Sequence, residues 1–152
     1  MQIAVFSLFA LTDAPDAYKQ AIKRMIRRRH RTLYRELGFD PPDDPNAVNY
    51  YAILDLEVLG VRRYGRDFVE WLLRNKNPLE IVFRLAEEGG VVLLPGKGFG
   101  TPHPSARVSL ANLDEADYAR IGRIIRTMMQ EYVDEFHAGG ENSGQKAAPQ
   151  CS

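Results

Sequence analysis

One short alternation constrains this chain more than any other feature: residues 106–111 read ARVSLA. Successive side chains of a strand point to opposite faces, so Val108 and Leu110 share one face and Arg107, Ser109 and Ala111 share the other. The Val and Leu face belongs in a core. The other face carries one large cation followed by two small residues. A guanidinium with small neighbours is an open fork, able to take a carboxylate or phosphate through two parallel N–H···O bonds. The competing reading is an arginine paired with a surface acid, and spacing alone leaves both open. A second apolar run, VVLL at 91–94, precedes this strand, with the loop 95–104 (PGKGFGTPHP) between them. About ten residues without a helix join the two runs, which makes them antiparallel neighbours.

The loop contains Gly96, Gly98 and Gly100 with one lysine, Lys97. It lacks the G-x-x-x-x-G-K-[ST] spacing of a phosphate-binding loop and the full G-x-G-x-x-G that opens a helix. Its glycines therefore read as turn residues.

Around this core the chain reads mainly as helices. Thr12 and Asp13 are N-cap types and Pro15 suits a first turn, so a helix is expected over 14–37. Its apolar stripe is Tyr18, Ile22, Met25, Ile26, Leu33 and Leu37, with Gly38 as its stop. Its other face holds Arg27, Arg28, Arg29, His30 and Arg31, a solvated face with ion pairs: no stacking aromatics interleave the arginines. Residues 39–49 form a Pro- and Asp-rich loop, where Asp43 and Asp44 read as turn residues, not metal ligands. Residues 50–56 (YYAILDL) read as a strand with Tyr51 and Ile53 on its buried face, and 63–75 as a helix with Phe68, Trp71 and Leu72 inward. Asn77 caps the next helix and Pro78 takes its first position, with an expected stripe of Leu79, Val82, Phe83 and Ala86 and a stop at Gly89-Gly90. After a short buried strand at 91–94 and the strand 106–111, Asn112 with Glu115 forms a cap for the last helix. Tyr118, Ile121, Ile125, Met128, Tyr132 and Phe136 form its stripe. From 138 the chain turns polar and glycine-containing, and 138–152 is expected to be a disordered tail.

The expected fold class is α/β: a small sheet of three or four strands with helices packed on one face. Length supports one domain of 152 residues. Lys plus Arg and Asp plus Glu number 20 each, so net charge gives no support to nucleic acid or an anionic membrane as partner. The one cysteine, Cys151, allows no intramolecular disulfide and no cysteine-built zinc site, which fits a cytoplasmic location. The longest near-apolar run, 3–11, is far short of the ~20 residues of a membrane span. It lacks the basic start and cleavage site of a secretory signal. With Phe6 and Phe9 in it, this lead must pack on something.

Several longer stretches resemble a known family. GVVLLPGKGFG, SARVSLANLDEADYARIGRIIR, VFSLFALTD, DAYKQAIKRMIRRRHRTLY, YYAILDLE, RRYGRDFVEWLL and PLEIVFRLAEEGG are similar to the carboxy-terminal domain of aspartate 4-decarboxylases. Those are pyridoxal-phosphate enzymes built like fold-type I aminotransferases. The resemblance covers nearly the whole chain and is most specific in ARVSLANL. It implies the fold-type I small-domain architecture, with residues 1–12 as a junction to a missing large domain and 13–137 as the small domain. It implies that Arg107 binds the substrate α-carboxylate and that Gly98 and Phe99 line the substrate side of the cleft. The family pattern carries a bulky aromatic shortly before the arginine, where this chain has His103 and Pro104.

The implied reaction of the complete enzyme is conversion of L-aspartate to L-alanine and CO2, with pyridoxal phosphate as cofactor and a homo-oligomer as assembly. The alternatives are the same domain of an aspartate or other amino-acid aminotransferase, or a free-standing carboxylate-binding or subunit-interaction module without catalysis. The lysines are Lys19, Lys23, Lys76, Lys97 and Lys146, and none matches the family's Schiff-base lysine motif. By the resemblance that lysine lies upstream of Met1. This chain alone is therefore expected to hold no catalytic residue, no cofactor and no metal, and to be inactive.

Overall fold

Three short strands place Arg107 at the centre of a sheet. In the structure, a computed structural model that describes residues 2–12, 16–42, 44, 46–101 and 104–144, β1 (Tyr51–Asp55), β2 (Leu94–Pro95) and β3 (Ser105–Ser109) form an antiparallel sheet in the order β1-β3-β2. Ala52 stands opposite Val108, Leu54 opposite Ala106, and Arg107 lies between Ile53 and Leu94. Ala52, Leu54, Leu93, Ala106, Val108 and Leu110 are buried. They form the floor of the core, and the helices cover that face only.

Two long helices supply most of the cover. The first, α2 (Ala17–Leu37), buries Ile26, Leu33, Tyr34 and Leu37. Gly38, at φ 85°, closes it by donating its N–H back to the carbonyls of the last turn, as expected of a glycine stop. The second, α6 (Glu115–Gly144), buries Tyr118, Ile121, Ile125, Met128 and Tyr132 in the stripe read from the sequence. These helices pack against each other where Gly122 lets the backbones approach: a Cβ there would lie 2.9 Å from the carbonyl oxygen of Leu33.

Shorter helices close the remaining edges. Between β1 and the predicted helix 63–75 lies a helix that the periodicity did not show, α3 (Leu56–Tyr64). Asp55, read as part of the strand, caps it by accepting from the amides of Glu57 and Val58. The helix α4 (Arg66–Asn75) buries Phe68, Val69 and Leu72, and Trp71 packs half-buried beside them. Asn77 caps α5 (Pro78–Gly89) by accepting from the amide of Leu79 at 3.0 Å, with Pro78 in the first turn.

Several expectations are corrected by packing. Thr12 ends a helix rather than starting one: its hydroxyl donates to the carbonyls of Leu8 and Phe9 at the end of α1 (Gln2–Thr12). Asp13 and Pro15 lie outside the described residues. None of the residues of α1 is buried, and Phe9 meets the ring of Tyr18 edge-on. The stripe on α5 is rotated: Ile81 and Leu85 are buried, whereas Leu79 and Phe83 are 49% and 63% exposed. His30 is not on a solvated face but buried against the ring of Tyr34, and Arg29 donates to the carbonyls of Leu110 and Ala111. The cap of α6 lies at Asp114, whose amide is held by the Asp117 carboxylate; Glu115 instead accepts from the hydroxyl of Thr32. The same helix runs past His137 to Gly144. Of the stretch 91–94, only Val91 and Leu93 are buried, and Val92 and Leu94 face out.

Candidate functional site

The uncovered face of the sheet is where Arg107 points. It is the middle residue of the middle strand, so Ile53 and Leu94 flank it across the ladder. Val108 and Leu110 are buried on the opposite face, which settles the parity as read from the alternation. With both neighbouring strands in place, the arginine can leave the sheet only by standing up from it.

Two rings lie against it. The guanidinium carbon of Arg107 lies 3.7 Å from the ring centroid of Tyr51 and 4.0 Å from that of Phe99. Tyr51 reaches it from β1, and Phe99 from the 3-10 turn Gly96–Phe99 that connects β2 to β3. Ring contacts at these distances cover the π-system of a guanidinium and leave its N–H edge as the hydrogen-bonding direction. The Nε atom of Arg107 is buried without a hydrogen-bond partner. Among the described residues no carboxylate pairs with this arginine, so the ion-pair reading of the sequence finds no partner in the fold.

The turn that carries Phe99 is built tightly at its start. A side chain at Gly96 would collide with the hydroxyls of Ser105 and Thr101, which hydrogen-bond to each other at 2.8 Å. Gly98, the other loop candidate, has open space where a Cβ would stand. Pro104 lies at the entry of β3, where its carbonyl accepts from the amide of Leu56. His103 lies outside the described residues.

The sequence reading missed Tyr51. It put Tyr51 and Ile53 on the buried face of β1, but they are 53% and 39% exposed, while Ala52 and Leu54 are buried. Both parities of YAILD are apolar, so alternation could not choose between them. The one available signal was Ala52: a small residue suits the side pressed against helices, and its neighbours then face the arginine.

Residues 2–125 match the family described as aminotransferase class I and II, and the chain belongs to it. Its sequence is 50% identical over 141 residues to a Pseudomonas sp. protein named bifunctional aspartate aminotransferase and L-aspartate beta-decarboxylase. That match covers 93% of this chain and 27% of the relative, so the chain spans about a quarter of the relative's length. The fold agrees with the small domain of the fold-type I architecture expected from the sequence.

Members of this family use pyridoxal phosphate. Among the described residues, no lysine stands in the setting that Schiff-base chemistry asks for. A Schiff-base lysine needs a desolvated setting or a cationic neighbour that favours its neutral amine. Lys19 pairs with Asp16 at 2.7 Å and Lys76 with Glu135 at 2.9 Å, while Lys23 and Lys97 are exposed. What the site offers is a guanidinium held against two rings, with no carboxylate paired to it among the described residues. No helix among the described residues is long and apolar enough to cross a membrane.

Proposed function

We propose that this chain is the carboxy-terminal, substrate-binding part of a larger pyridoxal-phosphate enzyme that acts on L-aspartate, releasing CO2 to give L-alanine. Arg107 binds the α-carboxylate. The observation that carries this reading is the arginine itself: a cation without an acidic partner among the described residues, braced by two rings on the open face of the sheet. Its end-on N–H groups donate to the two oxygens of a planar carboxylate, and each bond to an ionised partner contributes on the order of 1.5–3 kcal/mol. The lysine, the acid opposite the pyridine nitrogen and the phosphate ligands belong to the part of the enzyme outside this chain. Alone, the chain binds no cofactor and turns over no substrate. Transamination of aspartate is the second reading, because the Pseudomonas relative is named for both activities.

The test is a chimera in which this chain replaces the matching part of that relative. Alanine and CO2 as main products support the decarboxylase, and oxaloacetate as main product supports the aminotransferase. In the chimera Arg107→Lys keeps the charge and loses the planar fork. KM for aspartate should rise by about a hundredfold, the loss of one of the two charge-assisted bonds. Unchanged KM and kcat would remove Arg107 from the site.

A further inference from the structure

We propose that Tyr51 and Phe99 are positioning residues that clamp the Arg107 guanidinium in one plane and so select a flat carboxylate over a tetrahedral anion. The inference rests on the reading of Arg107 as the carboxylate-binding residue. It adds the device that makes a half-buried arginine specific.

A free arginine side chain has several rotatable bonds, and holding it still has an entropic cost that a ligand would otherwise meet on binding. Here the cost is met within the fold. Two rings lie within 4.0 Å of the guanidinium carbon, close enough for face contact, Tyr51 arriving from the β1 flank of the arginine's strand and Phe99 from the β2 flank. They come from different supports. Tyr51 is set by the β1–β3 register, in which it stands opposite Ser109, two residues along β3 from the arginine. Phe99 is set by the turn, whose start is packed against Ser105 and Thr101 at Gly96. The clamp also explains the buried Nε without a partner. Nε is the one guanidinium nitrogen that is buried and unpartnered among the described residues, so the direction left for a ligand is the terminal edge with its two NH2 groups. With the π-system covered, a ligand can approach only in the guanidinium plane. A carboxylate places two oxygens in that plane. A sulfonate or phosphonate carries a third oxygen out of it, toward one of the rings.

Phe99 is 47% exposed and Tyr51 53% exposed, so neither is a core residue whose removal would threaten folding. Two measurements separate the clamp from the substrate reading. In the 152-residue chain, NMR of arginine side chains should place the Arg107 Nε–Hε signal upfield of the exposed arginines through the ring currents, with slower exchange. Phe99→Ala and Tyr51→Ala should each return it toward them, while Phe99→Trp keeps it displaced. In the chimera, Phe99→Ala should raise KM for aspartate by about tenfold with kcat within twofold, and Phe99→Trp should restore it. It should also lower the ratio of carboxylate to sulfonate affinity, measured calorimetrically with succinate and its monosulfonate analogue. An Arg107 signal among the exposed arginines in the unsubstituted chain would overturn the clamp, as would a Phe99→Ala chimera with unaltered KM and anion preference. If Arg107→Lys is silent while the NMR signature holds, the clamp stands as structure, and the substrate reading together with the selection proposed here falls.

Discussion

The hydroxyl of Tyr118 donates to the carbonyl of Ser109 at 2.8 Å and accepts from the amide of Leu113 at 3.2 Å. One buried side chain thus ties the first turn of α6 to the end of the strand that carries Arg107. Tyr118→Phe keeps the ring and removes both bonds, leaving two backbone groups to find other partners. Stability should fall by about 1–3 kcal/mol. Urea unfolding of the two proteins checks this, and equal midpoints would mean that water replaces the hydroxyl at no cost.

Gly122 sits where α2 and α6 cross most closely. A Cβ there would lie 2.7 Å from the Cβ of Glu36 and 2.9 Å from the carbonyl of Leu33. Helix backbone cannot step aside as a side-chain tip can. Gly122→Ala should therefore cost about 1–3 kcal/mol, despite alanine's higher helix propensity. A stabilised Gly122→Ala protein, measured by thermal unfolding, would show that the crossing is looser than described here.

The two glycines of the turn should respond differently. Gly96→Ala presses on the Ser105–Thr101 pair and displaces the turn that carries Phe99. Gly98→Ala enters open space and should alter stability by no more than about 0.5 kcal/mol. The contrast is read in unfolding midpoints and in the Arg107 Nε–Hε signal. Only Gly96→Ala should move that signal.

His30 predicts a pH dependence. Burial, with the nearby Arg31 charge, holds its imidazole below its ordinary pKa near 6.5. At higher pH the imidazole is neutral in both folded and unfolded chains and contributes no slope. As pH falls below about 6.5 the unfolded chain takes up a proton that the folded chain does not, so stability falls with pH until the folded pKa is reached. Unfolding midpoints at pH 7.5 and 5.5 should differ more for this chain than for His30→Gln. An equal difference would assign the effect to other groups.

Much of this architecture was legible in local chemistry. The parity of β3, the cap at Asn77-Pro78, the stop at Gly38 and the stripe of α6 each depend on residues within a turn or two of one another. In each, a single geometry satisfies them. The cap of α6 was displaced by two residues because Asn112 and Asp114 are both N-cap types, and the helix crossing drew Glu115, the expected partner of Asn112, to Thr32 instead. The rotated stripe of α5 has a similar origin. Leu79, Val82, Phe83 and Ala86 form as good a helical face as Ile81 and Leu85, and only contact with the rest of the core chose between them.

The same division runs through the site. Sequence by itself determined that Arg107 would point away from the Val108 and Leu110 face of its strand, because alternation is a property of one segment. Tertiary structure alone decided what stands beside it. Tyr51 is 56 residues away along the chain and Phe99 arrives on a turn, and both reach the guanidinium through pairing register and loop closure. Register between strands is set by burial on the far face, where Ala52 and Leu54 meet Val108 and Ala106. The face that holds the arginine is thus arranged by side chains on the opposite side of the sheet, a dependence that only the assembled fold displays.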